Sequence, residues 1–368
     1  MGTEIEITPL FDWIETHGKP MVIAGPCSAE SETQLLQTAR EIAKIPQVQV
    51  FRAGLWKPRT RPGEFEGAGN KGLLWMQKVK EETGLKLATE VAKPEHVEKA
   101  LEHKIDIIWL GARTVVNPFS VQEIAEALKG NDIPVLVKNP INPDLKLWLG
   151  AIERIHEVGI NKMAAIHRGF HYFEKSPFRN APMWEIPIEL KRLAPTLPII
   201  TDPSHICGNR ELIPTVAQKA LDFEMDGLMI ESHINPKAAL TDASQQLTPA
   251  ILKALLDRLV IREKSIDNEF YSKFEELRTE IDKLDGELLQ ILANRLKIID
   301  EIGQFKKENH ITILQMKRWV GILEDRMAQG VHLGLNKDFL QALLALIHEE
   351  SIQRQSDIFT GIKKKKRR

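Results

Sequence analysis

Three cations, a proline and a threonine crowd into the run Phe51-Arg52-Ala53-Gly54-Leu55-Trp56-Lys57-Pro58-Arg59-Thr60. Arginine offers a planar fork of donors and lysine a movable point charge, a pairing that suits phosphate and carboxylate groups. The plain alternative is a basic loop facing water. Elsewhere stand a thiol at Cys27, an imidazole at His205 and carboxylates at Glu231 and Asp242. That mixed donor set suits a borderline divalent ion of the Mn, Fe, Co or Zn class. With an open coordination position, the site would be catalytic rather than structural. Both groups gain meaning only if the chain brings their members together.

The elements that could do so recur regularly. Short apolar, β-rich runs lie at 21–24, 48–51, 85–89, 107–110, 134–137, 162–166, 197–201 and 227–230. Amphipathic stretches such as 32–44, 73–83, 94–102 and 120–129 fall between them. Eight strand-then-helix repeats over ~240 residues predict a (β/α)8 TIM barrel, usually ~250 residues long. A doubly wound sheet is the competing architecture, but no G-x-G-x-x-G follows the first strand. In a barrel all strand C-termini converge on one face, where the chemistry sits. Here the runs end at Gly25-Pro26-Cys27-Ser28, at Arg52 with the 57–60 loop, at Thr89-Glu90 and at Gly111-Ala112-Arg113. The later ones end at Lys138-Asn139, His167-Arg168-Gly169, Asp202-Pro203-Ser204-His205 and Glu231-Ser232-His233. Nearly every strand hands over to a reactive or charged residue. Strands one and eight touch when a barrel closes, so Cys27, His205, Glu231 and Asp242 can meet.

Composition narrows the rest. A hydrophobic fraction of 43% and a charged fraction of 27% over 368 residues describe an ordinary globular protein of two domains. No apolar run approaches the ~20 residues needed to span a bilayer. The acidic start Met1-Gly2-Thr3-Glu4-Ile5-Glu6 lacks the layout of a signal peptide, and two cysteines build no disulfide framework. The expected compartment is the cytoplasm, with no membrane partner. A net charge of −1 gives no reason to expect nucleic acid. The basic tail at 361–368 reads as a solubilising end.

Beyond 262 the strand pattern stops. Residues 270–308 favour helix throughout, with apolar positions at Phe274, Leu277, Ile281, Leu284, Leu288, Ile291, Ile298, Ile302 and Phe305. Steps of three and four mark a heptad-like seam. Shorter helices are expected near 315–328 and 337–358. The domains are therefore a barrel over 1–262, a linker over 263–269 and an all-α three-helix domain over 270–360. Arg295 falls in register with the seam, where a cation needs an anion or bears a heavy desolvation cost. Arg278 lies ~25 Å from Arg295 along the helix and Lys306 only ~16 Å. If all three serve one site, Arg278 must come from an antiparallel second copy, which predicts a homodimer through this domain.

The barrel motifs, with Lys57-Pro58-Arg59-Thr60 the most specific, resemble 3-deoxy-D-arabino-heptulosonate 7-phosphate synthase of the shorter type-I subclass, over residues 15–260. The resemblance implies the first step of the shikimate pathway, condensation of phosphoenolpyruvate with erythrose 4-phosphate. It implies metal ligation by Cys27, His205, Glu231 and Asp242. Phosphoenolpyruvate would be bound by Arg52, Lys57, Arg113, Lys138 and Arg168, and the aldose phosphate by Arg59 and Thr60. C3 of the enol attacks the aldehyde carbon, water adds at C2, and phosphate leaves by C–O cleavage. Lys57, Lys138, His205 and Glu90 are the candidate catalytic groups, with Glu90 and His205 the candidates for positioning that water.

The helical domain resembles the all-helical chorismate mutase through Leu277-Arg278-x-x-Ile281-x-x-Leu284-Asp285, Leu292-Ala293-x-Arg295, Ile302-Gly303-x-x-Lys306 and Glu349-x-Ser351-x-x-x-Gln355. This implies that Arg278, Arg295 and Arg318 clamp the carboxylates of chorismate, while Lys306 and Gln355 bind its ether oxygen. Gln315 stands where that family often has Asp, and Trp319 where it has Glu, so recognition of the hydroxyl is expected to differ. The whole reads as a bifunctional transferase and isomerase, with prephenate as the expected feedback effector. The alternative is another phosphoenolpyruvate-dependent sugar-acid phosphate synthase, with a non-catalytic helical ligand sensor or dimerisation handle.

Overall fold

A computed structural model describes residues 5–57, 63–262 and 268–361. The chain forms two compact units, Met1–Lys264 and Ser265–Arg368. In the first, eight parallel strands close into a barrel in sequence order. They are β1 (Met21–Gly25), β2 (Val50–Arg52), β3 (Lys86–Val91), β4 (Ile107–Leu110), β5 (Val135–Lys138), β6 (Met163–His167), β7 (Ile199–Thr201) and β8 (Gly227–Glu231). The closure joins β1 to β8 from Met21↔Gly227 through Gly25↔Glu231. Around them run α1 (Glu32–Ile42), α2 (Asn70–Thr83), α3 (Pro94–Glu102), α4 (Ala112–Val115) and α5 (Pro118–Leu128). Then come α6 (Leu145–Glu157), α7 (Glu185–Leu193), α8 (Pro203–Cys207), α9 (Ile213–Asp222) and α10 (Pro249–Leu256).

Successive strand side chains point to opposite faces, and the core divides accordingly. Met21, Ile23, Val50, Ala88, Trp109, Leu136, Ile166, Ile200 and Met229 form the inner cluster, joined by Trp13 and Ile14. Val22, Ala24, Phe51, Leu87, Ile108, Val137 and Ile230 belong to the larger cluster shared with the helices. Both faces being buried explains why the strands read as continuous apolar runs. Five strands extend one residue beyond the expected bounds, ending at Gly25, Arg52, Lys138, His167 and Glu231. The parallel ladder carries them further, with Arg52 opposite Ala88, Lys138 opposite Ile166 and His167 opposite Thr201. Arg52, Lys138 and Glu231 are thus part of the barrel wall, not of the loops above it.

The second unit contains α11 (Asn268–Glu308), α12 (Met316–His332) and α13 (Lys337–Thr360). Asn336 caps α13 by accepting from the Phe339 amide. Gly303 lets α11 approach α13 closely, since a Cβ there would meet Ile358 at 2.8 Å and Gln355 at 3.2 Å. Arg354 pairs with Asp300 across the same contact at 2.6 Å. The apolar stripe of α11 is left uncovered: Leu277, Ile281, Leu284, Leu288, Ile291 and Ile298 are all exposed.

Candidate active site

The two-residue period continues past the inner apolar layer. Above Val50, Ala88, Leu136, Ile166, Ile200 and Met229 follow Arg52, Glu90, Lys138, Arg168, Asp202 and Glu231. Trp109 is the platform beneath them. The Arg52 guanidinium lies 4.9 Å from its ring centroid and Lys138 Nζ 5.8 Å, while its indole N–H donates to Glu90 Oε2 at 3.1 Å. Gly111 makes room for Glu90, because a Cβ there would sit 2.1 Å from Glu90 Oε1. Gly25 is needed for a similar reason: its φ is +151° and a Cβ would fall 2.0 Å from the Arg52 carbonyl oxygen.

Arg52 is 1% exposed, with Nη2 at 3.3 Å from Glu231 Oε1 and donating to the Cys27 carbonyl at 3.4 Å. Its Nε and Nη1 are buried without a hydrogen-bond partner among the described residues. Burial works against its charge, but Glu231, Cys27 and Asp202 hold its pKa above the ordinary value. Lys57 follows the same pattern, with burial opposed by Cys27, Glu90 and Glu231. Lys138 meets Asp202 Oδ2 at 3.0 Å.

Three of the four expected donors form one close group. One ligand atom each from Cys27, Glu231 and Asp242 lies within 4.8 Å of the others. His205 Nε2 is 3.7 Å from Glu231 Oε1. Local sequence explains the histidine: Asp202 caps α8, accepting from the His205 amide through Oδ1, and Pro203 occupies the first turn. The other oxygen of Asp202 meets His205 Nδ1 at 2.8 Å. Burial depresses the His205 pKa, and the Nδ1 contact with Asp202 turns Nε2 toward Glu231. Burial, Glu231 and Asp242 push the Cys27 thiol up to about 12. It donates to Asp242 Oδ2 at 3.3 Å and accepts from Lys57 Nζ at 3.1 Å. Burial also opposes ionisation of Asp242, yet nearby His205, Arg179 and Lys57 hold its carboxyl well below the usual range.

Above these groups opens a cleft of about 300 Å³ lined by Lys57, Glu90, Arg113, Lys138, Arg168, Arg179, His205 and Asp242. Burial pushes the Arg168 guanidinium down to about 10, and the neighbouring charges of Arg179 and Arg113 press the same way. Arg52 lies below the cleft in the wall. Arg59 and Thr60 lie outside the described residues, as does the basic tail beyond residue 361.

In the helical unit, Arg295 Nη1 donates to Ser351 Oγ at 2.8 Å. One turn on, Gln355 Nε2 donates to the Ser351 carbonyl, and its buried Oε1 has no hydrogen-bond partner among the described residues. Buried Lys306 donates to the Ile313 carbonyl at 2.6 Å. Burial and then the charge of Arg318 lower its pKa. Gln315, Ile302, Phe305 and Lys306 line one shallow cavity. Trp319 stacks on His348 at 3.6 Å between centroids. Arg278 is placed apart, pairing with Glu275 at 2.9 Å and lying over the Phe274 ring.

Residues 4–266 match the DAHP synthetase I family. The chain belongs to that family. Residues 277–356 match chorismate mutase type II, so the synthetase barrel is followed by a mutase-type helical domain. The barrel of this synthetase is similar to a phospho-2-dehydro-3-deoxyheptonate aldolase of Thermotoga maritima, at 33% identity over 65% of this chain and 68% of that protein. A 2-dehydro-3-deoxyphosphooctonate aldolase of Wolinella succinogenes is 26% identical over 65% of this chain and 98% of that one. The crystal structure of the Thermotoga maritima phospho-2-dehydro-3-deoxyheptonate aldolase (DAHP synthase) superposes with a TM-score of 0.59 at 32% identity, covering 65% of this chain and 68% of that chain. A truncated 3-deoxy-D-arabino-heptulosonate 7-phosphate synthase from the same organism gives 0.57 at 30%, covering 65% and 85%.

Sequence reasoning about this synthetase missed several site residues. Asp202 is marked there only as a charged strand end; extending the inward two-residue series one step beyond β7 would have given it a place in the site. Arg179, Asn180 and Gln245 sit in long loops where no period applies. Arg179 Nη1 meets Asp242 Oδ1 at 2.8 Å, and Asn180 joins Arg168 Nη1 to the His205 carbonyl. In the mutase-type domain the omission was His348, which only the α12–α13 packing brings beside Trp319.

Proposed function

We propose that the barrel condenses phosphoenolpyruvate with erythrose 4-phosphate, giving 3-deoxy-D-arabino-heptulosonate 7-phosphate and phosphate, while the helical unit rearranges chorismate to prephenate. The observation that carries the first half is Arg52. A buried guanidinium with two unpartnered donors lies beneath a cleft lined by Lys57, Arg113, Lys138, Arg168 and Arg179. Like charges crowded in a desolvated cleft are stabilised by a multiply charged anion. Phosphoenolpyruvate brings a carboxylate and a phosphate on one small frame, and ~300 Å³ lies at the lower end for small-molecule sites.

The donor set fits a divalent cation held by Cys27, His205, Glu231 and Asp242. Glu231 Oε1 is buried with no hydrogen-bond partner among the described residues, though near Arg52, and His205 is fixed with Nε2 toward that oxygen. When bound, such a cation supplies Lewis-acid polarisation of the aldehyde oxygen. The remaining work belongs to the chain. Arg52, Lys57, Arg113, Lys138 and Arg168 hold the enol phosphate so that its C3 faces the aldehyde carbon. The new C–C bond forms there, water adds at C2, and phosphate departs with cleavage of its C–O bond. Glu90, held by Trp109 at one oxygen, orients the water, since both ring nitrogens of His205 are engaged by Asp202 and by the cation. Arg59 and Thr60 bind the aldose phosphate.

In the helical unit, Arg295 and Arg318 bind the carboxylates of chorismate together with Arg278 of a second copy, and Lys306 and Gln355 bind the ether oxygen. Preorganised donors stabilise the departing oxygen of this pericyclic step without any nucleophile. Support for the homodimer comes from the separation of Arg278 from the other site residues and from the uncovered stripe of α11. Prephenate is the feedback effector. No helix among the described residues is long and apolar enough to cross a membrane, and we place the enzyme in the cytoplasm. The Trp319–His348 stack favours a second reading, in which the helical unit senses its ligand without catalysis. Chorismate consumption by wild type beside Arg295→Ala separates the two.

Chelation tests the whole. Extensive treatment with a chelator should abolish synthase activity, restored by added Mn or Co, and leave mutase activity intact. Synthase activity that survives removal of all bound metal would overturn the metal assignment. Turnover of arabinose 5-phosphate in preference to erythrose 4-phosphate would point to the related octulosonate chemistry.

A further inference from the structure

The two candidate metal-binding carboxylates are held by one small network. Asp242 uses Oδ1 to accept from Arg179 Nη1 at 2.8 Å, and its Oδ2 lies 3.3 Å from Cys27 Sγ. Glu231 uses Oε2 to accept from Gln245 Nε2 at 2.7 Å. Its Oε1 has no hydrogen-bond partner among the described residues and lies 3.3 Å from Arg52 Nη2 and 3.7 Å from His205 Nε2. The same Arg179 Nη1 donates to Gln245 Oε1 at 3.0 Å. That bond fixes which way the buried Gln245 amide points, because a flipped amide would turn its oxygen toward Glu231. In each carboxylate one oxygen is therefore tied outward and the other faces the donor cluster.

Arg179 reaches this position through a built backbone path. Its amide donates to the Cys207 carbonyl at 3.3 Å, and the next amide, of Asn180, donates to Ile206 at 3.1 Å. Gly208, at φ +64°, leaves the space that Arg179 fills, since a Cβ there would sit 2.5 Å from Arg179 Cβ.

We propose that Arg179 and Gln245 form a positioning clamp that presets Glu231 and Asp242 for a divalent cation, a role resting on the metal reading given above. Groups that orient metal ligands from behind typically change affinity by about 10–100-fold when removed. Because one guanidinium nitrogen serves both Asp242 and Gln245, the two side chains act as a unit and their losses are not additive.

Cobalt(II) binding to the full-length chain tests this directly, read by calorimetry and by the thiolate-to-cobalt charge-transfer absorption. Wild type binds cobalt with that absorption and Cys27→Ser loses it; failure of either arm sinks the metal reading itself. Arg179→Met and Gln245→Met each bind cobalt about 10–100-fold more weakly. Arg179→Lys, which keeps a cation against Asp242, recovers part of the loss. The double variant binds no more weakly than the worse single one. Wild-type affinity in both single variants, or losses that add in full, overturns the clamp. The side chain of Arg179 is half exposed, so metal-free Arg179→Met keeps the wild-type melting curve. A metal-free destabilisation equal to the affinity loss assigns the pair a structural role only and also overturns the proposal.

Discussion

Arg52 and His167 both end a barrel strand and are both buried, yet they face opposite sides of the wall. Arg52 points inward to Glu231 and Trp109 and keeps its charge. His167 points outward, packing edge-on against Trp184, and its Nε2–H donates to the Pro182 carbonyl at 2.6 Å. Its Nδ1 is buried without a hydrogen-bond partner among the described residues. Burial, with a smaller contribution from Arg168, pushes its pKa down to about 4 from an ordinary 6.5. A histidine whose pKa falls on folding leaves stability intact above the unfolded value. Stability is lost as pH drops through 6.5 toward 4, because the unfolded chain binds the proton first. Urea unfolding should show about 2 kcal/mol of this loss by pH 5 in wild type. His167→Gln keeps a donor for Pro182 without titrating and should flatten that slope; an equal slope in the variant would place the titration elsewhere. The residue types at both positions were legible in the sequence. Which side each faces follows from the two-residue period, once the extra strand residue is counted.

At the scale of elements, α11 poses the clearest question. Its heptad steps are plain in the sequence, and a seam of that kind suggests a partner helix. Neither α12 nor α13 covers it: Leu284 is 57% exposed and Ile291 64%. The α11–α13 contact lies instead near Gly303, where Arg295 finds Ser351 and Asp300 finds Arg354. A stripe left open over this length calls for a second copy. Leu284→Asp should weaken self-association at least about 100-fold, since a carboxylate replaces buried apolar surface in both copies. Light scattering across a dilution series reads that change, and mutase activity should fall with it if, as proposed, Arg278 is supplied by the second copy. Unchanged association in the variant would mean that the stripe is not the dimer contact. The sequence could mark the stripe, but not which of its neighbours would meet it.

For the whole molecule, one chain joins a synthetase-family barrel to a mutase-type domain that would act on a downstream metabolite. Prephenate should lower synthase activity in wild type and leave Arg295→Ala unaffected, while that variant's synthase rate without prephenate stays at the wild-type level. A wild type indifferent to prephenate would remove the feedback role. The sequence by itself determined the eight-fold alternation and the charged strand ends, and it offered four candidate metal donors, because period and residue type are local properties. It also marked the helical domain and its cations. Tertiary structure alone decided that Arg179 and Gln245 stand behind Asp242 and Glu231, that Asp202 serves both His205 and Lys138, and that His348 lies under Trp319. Those contacts join loops and helices far apart in the chain, where no period constrains the register and only packing chooses the partner.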